Sequence, residues 1–250
     1  MSRERIRLAL ILILISISSP HCLSQDNPTP KLSMQNLHGY PLIENIHSIK
    51  KVLKQKCLDT INFKMGEIIA DIGAGNGYLE GMLSLFNDSL TFYIQDIDTS
   101  ICNQKSVDIV VDFYKRLKKK PFTNKFYVVN GSDVETNLPD GTFDKVFLIF
   151  TYQYLKYPQV FMMDVKQKLK PHGRLYIINP DAPINDLTKS LKAEYGWNGS
   201  PIDKEINDIT DCGFEIITKS KYTYTNEQGN PYIMVFKLKN PNIQHLLKNP

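Results

Sequence analysis

Residues 68–80 read Ile-Ile-Ala-Asp-Ile-Gly-Ala-Gly-Asn-Gly-Tyr-Leu-Glu, and they are the most informative segment of the chain. The apolar run at 68–72 is continuous rather than alternating, which is typical of a parallel strand buried on both faces. Gly73, Gly75 and Gly77 then predict a tight turn, because glycine accepts positive φ and lets a ligand approach the backbone. An apolar pattern that suits a helix follows. A strand, a glycine turn and a helix N-terminus together indicate a ligand site at the end of the strand.

The glycine spacing distinguishes this turn from other nucleotide-binding turns. A dinucleotide fingerprint that starts at Gly73 would need its third glycine where the chain has Tyr78. A P-loop would need Lys-Ser or Lys-Thr after the glycines, and neither dipeptide follows. The pattern that remains is D-x-G-x-G-x-G, which begins at Asp71 inside the strand. It resembles the first motif of class I S-adenosylmethionine-dependent methyltransferases.

The resemblance implies a fold and a cofactor. The expected fold is α/β and Rossmann-like: a doubly wound, mainly parallel seven-stranded sheet that ends in an antiparallel hairpin. The expected cofactor is S-adenosylmethionine, bound at the glycine turn. The turn residues expected to contact it are Asp71, Gly73, Ala74, Gly75, Asn76 and Gly77. The alternative is a tight turn that binds nothing.

A second acidic residue ends the next predicted strand, at residues 91–95. Asp96 lies 25 residues after Asp71, and one β/α step brings the ends of the two strands side by side. The resemblance implies that Asp96 accepts both ribose hydroxyls, with Ile97 packed on the adenine. Asp98 is predicted instead to cap the following helix.

The segment after the third predicted strand, 126–130, is a candidate for contact with the adenine amino group. The resemblance implies an acid or an amide there, and Asp133 fits by type. The spacing to the Leu-Pro pair at 138–139 makes Ser132, Asp133 and Val134 candidates by position. The alternative for Asp133 is a surface turn.

Residues 138–155 also resemble the family. They predict a strand at 145–150, followed by Thr151 at the edge where α/β sheets bind ligands. The candidates for the acceptor side of the site, where catalysis would occur, are Tyr152, Gln153 and Tyr154. The family often has histidine where Gln153 stands, and glutamine forms hydrogen bonds but cannot act as a base. Either the acceptor needs no base, or another group deprotonates it, or activity is lost.

The remainder of the chain predicts a single domain over residues 42–250. A helix at 42–59 is expected to cover the sheet or the cofactor mouth. The other predicted elements are a helix at 158–169, a turn at 170–173, a strand at 174–179, a loop-rich insertion at 180–201, a helix at 202–212 and a hairpin formed by 214–224 and 231–238.

The N-terminal segment predicts export. Residues 1–7 carry three arginines, residues 8–17 are almost all aliphatic, and Pro20 follows. This pattern is typical of a signal peptide at 1–24, which would leave a flexible lead at 25–41 and no membrane span, in the periplasm or outside the cell. The alternatives are a lipid-modified Cys22 and an uncleaved anchor.

Charge and cysteine content exclude some classes of protein. The net charge of +4 falls to about +2 without residues 1–24, which argues against general nucleic-acid binding. The basic run at 115–120 is predicted to be a solvated helix end. Cys57, Cys102 and Cys212 lack metal-ligand spacing, so no metal site is expected.

Three functions remain open at this stage. The first is methyl transfer to a small or otherwise unidentified acceptor. The second is aminopropyl transfer on the same fold, although no acidic cluster lies around 151–154 to hold a polyamine. The third is a non-catalytic protein that binds S-adenosylmethionine or a nucleoside, which export favours because S-adenosylmethionine is made in the cytosol.

Overall fold

The computed structural model describes residues 42–180, 201–221 and 231–239. Seven strands and five α-helices lie in these ranges, with 3₁₀ turns at Leu58–Thr60 and Tyr152–Tyr154. The helices are α1 (Ile46–Gln55), α2 (Tyr78–Leu83), α3 (Gln104–Lys118), α4 (Pro158–Lys168) and α5 (Ile202–Asp211). The strands are β1 (Ile68–Ile72), β2 (Thr91–Asp96), β3 (Lys125–Asn130), β4 (Phe143–Ile149), β5 (Leu169–Pro180), β6 (Phe214–Lys221) and β7 (Pro231–Leu238).

The strands form one sheet in the order β3-β2-β1-β4-β5-β7-β6. Strands β1 to β5 pair in parallel, and β7 pairs antiparallel with both β5 and β6. From β1 to β3 the chain adds strands toward one edge of the sheet, and from β4 onward it adds strands toward the other edge. Open α/β sheets bind ligands at the carboxyl ends of the strands where this direction changes, here between β1 and β4.

Apolar side chains fill both faces of the sheet, which explains the unbroken apolar run of β1. On one face, Ile69 belongs to the core that α1, α2 and α3 cover. On the other, Ala70 and Ile72 belong to the core that α4 and α5 cover. Helix α1 buries Ile49 and Leu53, one turn apart, and thus confirms the predicted N-terminal helix in a shorter form.

The predicted architecture is confirmed, including the mainly parallel sheet and the hairpin of β6 and β7. The predicted turn at 170–173 is wrong, because β5 already begins at Leu169. Phe143 pairs with Leu169 and Lys145 pairs with Arg174, so the register advances by two residues along β4 but by five residues along β5. The extra residues form a bulge within the strand rather than a break before it.

One local prediction at α3 is wrong, and a second, the solvated helix end at 115–120, holds except at Lys118. Asp98 does not cap this helix: its carboxylate accepts from the Ser100 N–H at 3.1 Å, and the cap is Asn103, which accepts from the Ser106 N–H at 3.0 Å. The basic run is not wholly solvated, since the Lys118 side chain is only 3% exposed.

Several predictions concern residues outside the described ranges, namely the signal peptide at 1–24, the lead at 25–41 and most of the insertion at 180–201. Within the described ranges, every helix is too short or too polar to cross a membrane.

Candidate functional site

The glycine turn lies at the carboxyl edge between β1 and its neighbours. The N–H groups of Gly73 and Ala74 both donate to the Gln95 carbonyl, at 2.8 and 3.0 Å, which fastens the turn to β2. Gly73, Gly75 and Gly77 all have positive φ, as the sequence predicts. Gly77 precedes α2, so the turn leads directly into a helix N-terminus.

Gly73 is glycine for a second reason, which the sequence does not reveal. A Cβ there would stand 2.5 Å from both Cγ2 and Oγ1 of Thr151, the residue that follows the end of β4 by two positions. The missing side chain therefore allows the β1 and β4 ends to meet. Thr151, predicted to face the cofactor, is brought to the glycine turn by this contact.

Asp96 lies beside the glycine turn, as predicted. It is 1% exposed, and its two carboxylate oxygens accept from the backbone N–H groups of Gly75 and Asp98, each at 3.0 Å. Each oxygen has further lone-pair capacity, so these bonds orient the carboxylate while leaving acceptor capacity for hydroxyl groups. Ile97, the next residue, is 41% exposed at the same edge and can cover a flat apolar ring.

A second carboxylate pair lies behind the turn, at Asp71 and Glu80, which are 3% and 1% exposed. Burial, followed by the nearby Glu80 and Asp96 charges, raises the pKa of Asp71 well above its usual value. Burial also raises the pKa of Glu80. No described N–H or hydroxyl group donates to either oxygen of Glu80, so the two carboxyl groups can bond to each other only by sharing a proton.

Lys56, at the end of α1, faces this acidic pair. Its ammonium lies 4.0 Å from the centroid of the Phe150 ring, a cation–π contact. Burial lowers the pKa of Lys56 to about 8, and Asp71 opposes that shift. Phe150 itself has φ +57°, a left-handed conformation that is uncommon for a bulky residue and that often marks functional sites.

Two amide side chains near the turn are buried without complete hydrogen bonding. Asn76 is 1% exposed, and neither its Oδ1 nor its Nδ2 has a partner in the described protein. The Nε2 of Gln95 also lacks one there. Buried polar groups are nearly always satisfied, so unsatisfied ones call for a ligand or water.

The adenine candidates lie on an exposed loop after β3. The Ser132 hydroxyl accepts from the N–H groups of Val134 and Glu135, at 3.3 and 3.1 Å, and so stabilises the loop. The Asp133 carboxylate lies 3.9 Å from the ammonium of Lys156, which follows the acceptor candidates in the chain. This weak contact shows that the adenine loop and the acceptor segment border the same edge.

The three acceptor candidates differ in their surroundings. Tyr152 is buried in the core under α4 and α5, where burial, followed by Asp208 and Glu205, raises its pKa well above the usual value. Gln153 is 6% exposed and donates from Nε2 to the Phe150 carbonyl at 3.4 Å. Tyr154 is 41% exposed. The structure thus leaves Tyr154 as the most accessible of the three, and their catalytic roles stay predictions.

The charged and polar side chains around the glycine turn fit S-adenosylmethionine, which carries a sulfonium, an ammonium, a carboxylate and a nucleoside. The acidic pair of Asp71 and Glu80 matches its positive charge, the Asp96 carboxylate matches its ribose hydroxyls, and Lys56 matches its negative charge. The incompletely bonded amides of Asn76 and Gln95 offer polar partners. No group of three His, Cys, Asp or Glu side chains in the described ranges could hold a metal ion.

Comparisons with known proteins agree with this fold. Residues 70–177 match the family model described as a methyltransferase domain. No curated protein matches the chain. Solved structures share its fold, among them an S-adenosylmethionine-dependent methyltransferase from Aquifex aeolicus, with 20% identity and a TM-score of 0.54 over 78% of this chain and 98% of that one.

Two further structures are similar at low identity. A methyltransferase from Bacillus halodurans, described as putative, has 11% identity and a TM-score of 0.55, over 79% of this chain and 100% of that one. Phosphoethanolamine N-methyltransferase 2 from Haemonchus contortus, solved with S-adenosyl-L-methionine, has 14% identity and a TM-score of 0.56, over 78% and 53%. Residues 70–177 thus match a methyltransferase domain, the chain shares the fold of S-adenosylmethionine-dependent methyltransferases, and its acceptor is not identified by these matches.

Sequence reasoning missed Lys56 and Glu80. A signal for Glu80 exists, because it is an acid among the apolar residues of α2. No comparable signal exists for Lys56, which is one of several lysines on and beside α1 and is selected only by the position of the helix end.

Proposed function

We propose that the protein transfers the methyl group of S-adenosylmethionine to a small acceptor that is nucleophilic without help from an enzymic base. The observation that carries this proposal is the composition of the edge after β4. Residues 150–157 contain no histidine, aspartate or glutamate, and the Gln153 amide is bonded to a backbone carbonyl. An acceptor that needs a strong base at this edge would find none in this segment.

The residues of the chain would bind the cofactor, orient it toward the acceptor and exclude water from the reacting atoms. S-adenosylmethionine, when bound, supplies a methyl group on a positively charged leaving group, so alignment alone can provide much of the rate. Asp96 would hold the ribose, and the glycine turn would let the cofactor lie close to the backbone. Tyr154, the most exposed of the three acceptor candidates, would offer an aromatic face to the acceptor.

Aminopropyl transfer is less well supported. Holding a polyamine requires carboxylates near the acceptor, and the acid described beside this edge, Asp133, is exposed and 3.9 Å from Lys156. A non-catalytic binding protein would share the cofactor contacts, and only turnover distinguishes it from an enzyme.

The experiment combines binding with turnover. Asp96→Ala should weaken S-adenosylmethionine binding by about 2–4 kcal/mol, because each of the two lost hydrogen bonds to a charged group contributes about 1.5–3 kcal/mol and water at the vacated position recovers part of the loss. Asp98→Ala, which removes a neighbouring carboxylate engaged in a local turn, is the matched control. Asp96→Asn retains an oxygen for the Gly75 N–H and shows how much of the loss comes from a loosened turn.

Turnover is measured as formation of S-adenosylhomocysteine with three probes: a small thiol, a primary amine and a phenol. The proposal expects the rate to rise with pH in step with ionisation of the probe itself. A rate governed by an enzyme group and independent of the probe's ionisation would contradict it, as would binding unchanged in Asp96→Ala.

We also propose that the protein is exported and begins at Gln25. The pattern of residues 1–24 supports this, and the supply of S-adenosylmethionine outside the cytosol is then a requirement of the activity. Mass spectrometry of the protein from the envelope or secreted fraction should find Gln25 at the N-terminus. A cytosolic protein that retains Met1 would contradict export and leave methyl transfer intact.

A further inference from the structure

Strand β3 is one edge of the sheet. Among the described strands it pairs with β2 alone, in an unbroken register from Lys125 to Asn130. Its central residues read Phe-Tyr-Val-Val, and each of them is at least partly exposed. Tyr127 is 46% exposed and packs against Tyr93 of β2, with the two ring centroids 4.9 Å apart. An apolar edge of this kind pairs readily with a strand of another chain.

The opposite edge of the sheet, β6, has the features that prevent such pairing. A register shift between Ile216 and Thr218 interrupts its ladder, and Lys219 and Lys221 place charges along it. Bulges and lysines are devices that keep the sheet edges of natural proteins from associating. Strand β3 has a regular ladder, and its one charged residue, Lys125, stands at its end. The contrast makes β3 the edge that is open to a partner strand.

The backbone groups that face outward from β3 can be identified from its bonding to β2. The Lys125 N–H donates to the carbonyl of Leu90, the residue before β2, at 2.9 Å. Successive residues of a strand direct their backbone groups to opposite sides, so Lys125 and the residues two and four positions later face β2. The N–H and C=O groups of Phe126 and Val128 therefore face the open edge.

These two residues define a self-complementary register. In an antiparallel pair, two residues that exchange both of their backbone bonds lie directly opposite each other. If Phe126 lies opposite Val128 of a second copy, symmetry places Val128 opposite Phe126, and a two-fold axis passes through the pair of Tyr127 residues. The two tyrosines then form the closer, non-hydrogen-bonded pair, with both rings on the same face of the sheet. Aromatic pairs across strands stabilise antiparallel sheets.

The charges at the two ends of β3 favour the same arrangement. The segment that leads into β3 carries Lys119 and Lys120, and the loop that follows β3 carries Asp133 and Glu135, all of them exposed. Lys156, 3.9 Å from Asp133, offsets only one of these acidic charges. An antiparallel second copy brings the basic end of each strand to the acidic end of the other. A parallel copy would bring like charges together.

We propose that two copies of this chain associate through β3 and join their sheets into one, with Tyr127 facing Tyr127 on the two-fold axis. Such an interface uses the same surface on both copies, so it closes at the dimer. An unrelated partner strand would require neither the symmetric register nor the opposite charges at the two ends. The proposal is independent of the proposed function, because no cofactor or acceptor contact enters it.

The test measures self-association of the purified protein by sedimentation velocity over a range of concentrations, and the wild type should form a dimer. Tyr127→Lys and Tyr127→Glu should each raise the dimer dissociation constant about tenfold or more, because like charges then face each other and an aromatic pair is lost. A mixture of the two variants should recover most of the affinity, since opposite charges then meet at the axis. Recovery on mixing is specific to a register in which this residue faces itself.

The matched control is Tyr157, which is also 46% exposed but lies at the N-cap of α4. Tyr157→Lys and Tyr157→Glu should leave the dimer dissociation constant unchanged. Hydrogen exchange of the wild type provides a readout that needs no variant. Exchange of the Phe126 and Val128 amides should slow as the protein concentration rises, whereas the Tyr127 amide, which faces β2, should exchange slowly throughout.

Three results would overturn the proposal. The first is a wild-type protein that stays monomeric at its highest soluble concentration, whether or not another protein binds the edge. The second is a dimer that persists in both Tyr127 variants, which would use another surface. The third is a dimer that both variants lose and their mixture does not recover, together with exchange at Phe126 and Val128 that is independent of concentration.

Discussion

Gly73→Ala is expected to destabilise the protein at the junction of β1 and β4. Gly73 has φ +78°, and alanine in this conformation costs about 1–2 kcal/mol. The added Cβ would stand 2.5 Å from two side-chain atoms of Thr151, so one of the strands must move. Overpacking of this kind adds about 1–3 kcal/mol, and the free energy of unfolding should therefore fall by about 2–5 kcal/mol in total.

Gly66→Ala separates the two causes. Gly66 has φ +86°, but a Cβ there would meet nothing within 4 Å, so only the backbone cost of about 1–2 kcal/mol is expected. Thr151→Ala combined with Gly73→Ala should recover most of the steric part. Urea denaturation of the wild-type protein, the single variants and the double variant provides the comparison. Equal losses in Gly73→Ala and Gly66→Ala, with no recovery in the double variant, would refute the reasoning.

Three further predictions concern the acidic pair, a buried lysine and the acceptor edge. Glu80→Gln should increase the free energy of unfolding at neutral pH by about 0.5–2 kcal/mol, because burial raises the pKa of Glu80 and so disfavours its charged form. A raised carboxyl pKa makes stability fall as pH rises above the usual value of about 4, so Glu80→Gln should flatten that decline in denaturation curves. Lys118→Met should lower the free energy of unfolding by about 2–4 kcal/mol, since its ammonium donates to the Ser84 and Asn87 carbonyls. Gln153→Ala should lower kcat for a working acceptor while leaving calorimetric cofactor affinity within about twofold.

Each of these predictions has its own control or contradiction. If Glu80→Gln destabilises the protein at every pH, the Glu80 carboxylate has hydrogen-bond partners in the folded protein and the reasoning is wrong. Lys115→Met, at an exposed position on the same helix as Lys118, should change stability by less than about 0.5 kcal/mol. Equal loss of cofactor affinity and turnover in Gln153→Ala would move that residue from the acceptor side to the nucleotide pocket.

The sheet and the glycine turn could be predicted because their causes are local. A continuous apolar run, as at 68–72, is required of a strand covered on both faces, and the run is visible in the sequence itself. The same holds for Asp96, whose place at a strand end is set by a single β/α step. These features depend on neighbours along the chain and on general rules of α/β topology.

The failures have a different physical origin. Asp98 and Asn103 are both good capping residues, and only the hydrogen bond from Ser100 to Asp98 decides which one begins α3. The run of lysines at 118–120 resembles a solvated helix end, but the segment that follows α2 brings the Ser84 and Asn87 carbonyls within reach of Lys118. The choice between the two caps is a competition between neighbouring residues, whereas the contacts of Lys118 join residues far apart in sequence that no pattern along the chain records.

The proximity of Lys56 to Asp71 is likewise a contact between distant parts of the chain. Lys56 and Asp71 lie on elements that meet only after α1 packs on the sheet, and the Phe150 contact adds a third distant element. The sequence predicts the methyltransferase fold and the candidate cofactor contacts.

The central claim is that the carboxyl edge of β1 and β2 binds S-adenosylmethionine rather than a dinucleotide. Isothermal titration calorimetry of the purified protein with S-adenosylmethionine, and separately with NAD, tests it most directly. The account predicts saturable binding of S-adenosylmethionine at one site per chain and no binding of NAD at the same concentrations. Binding of NAD, or no binding of S-adenosylmethionine and its demethylated product, would contradict it.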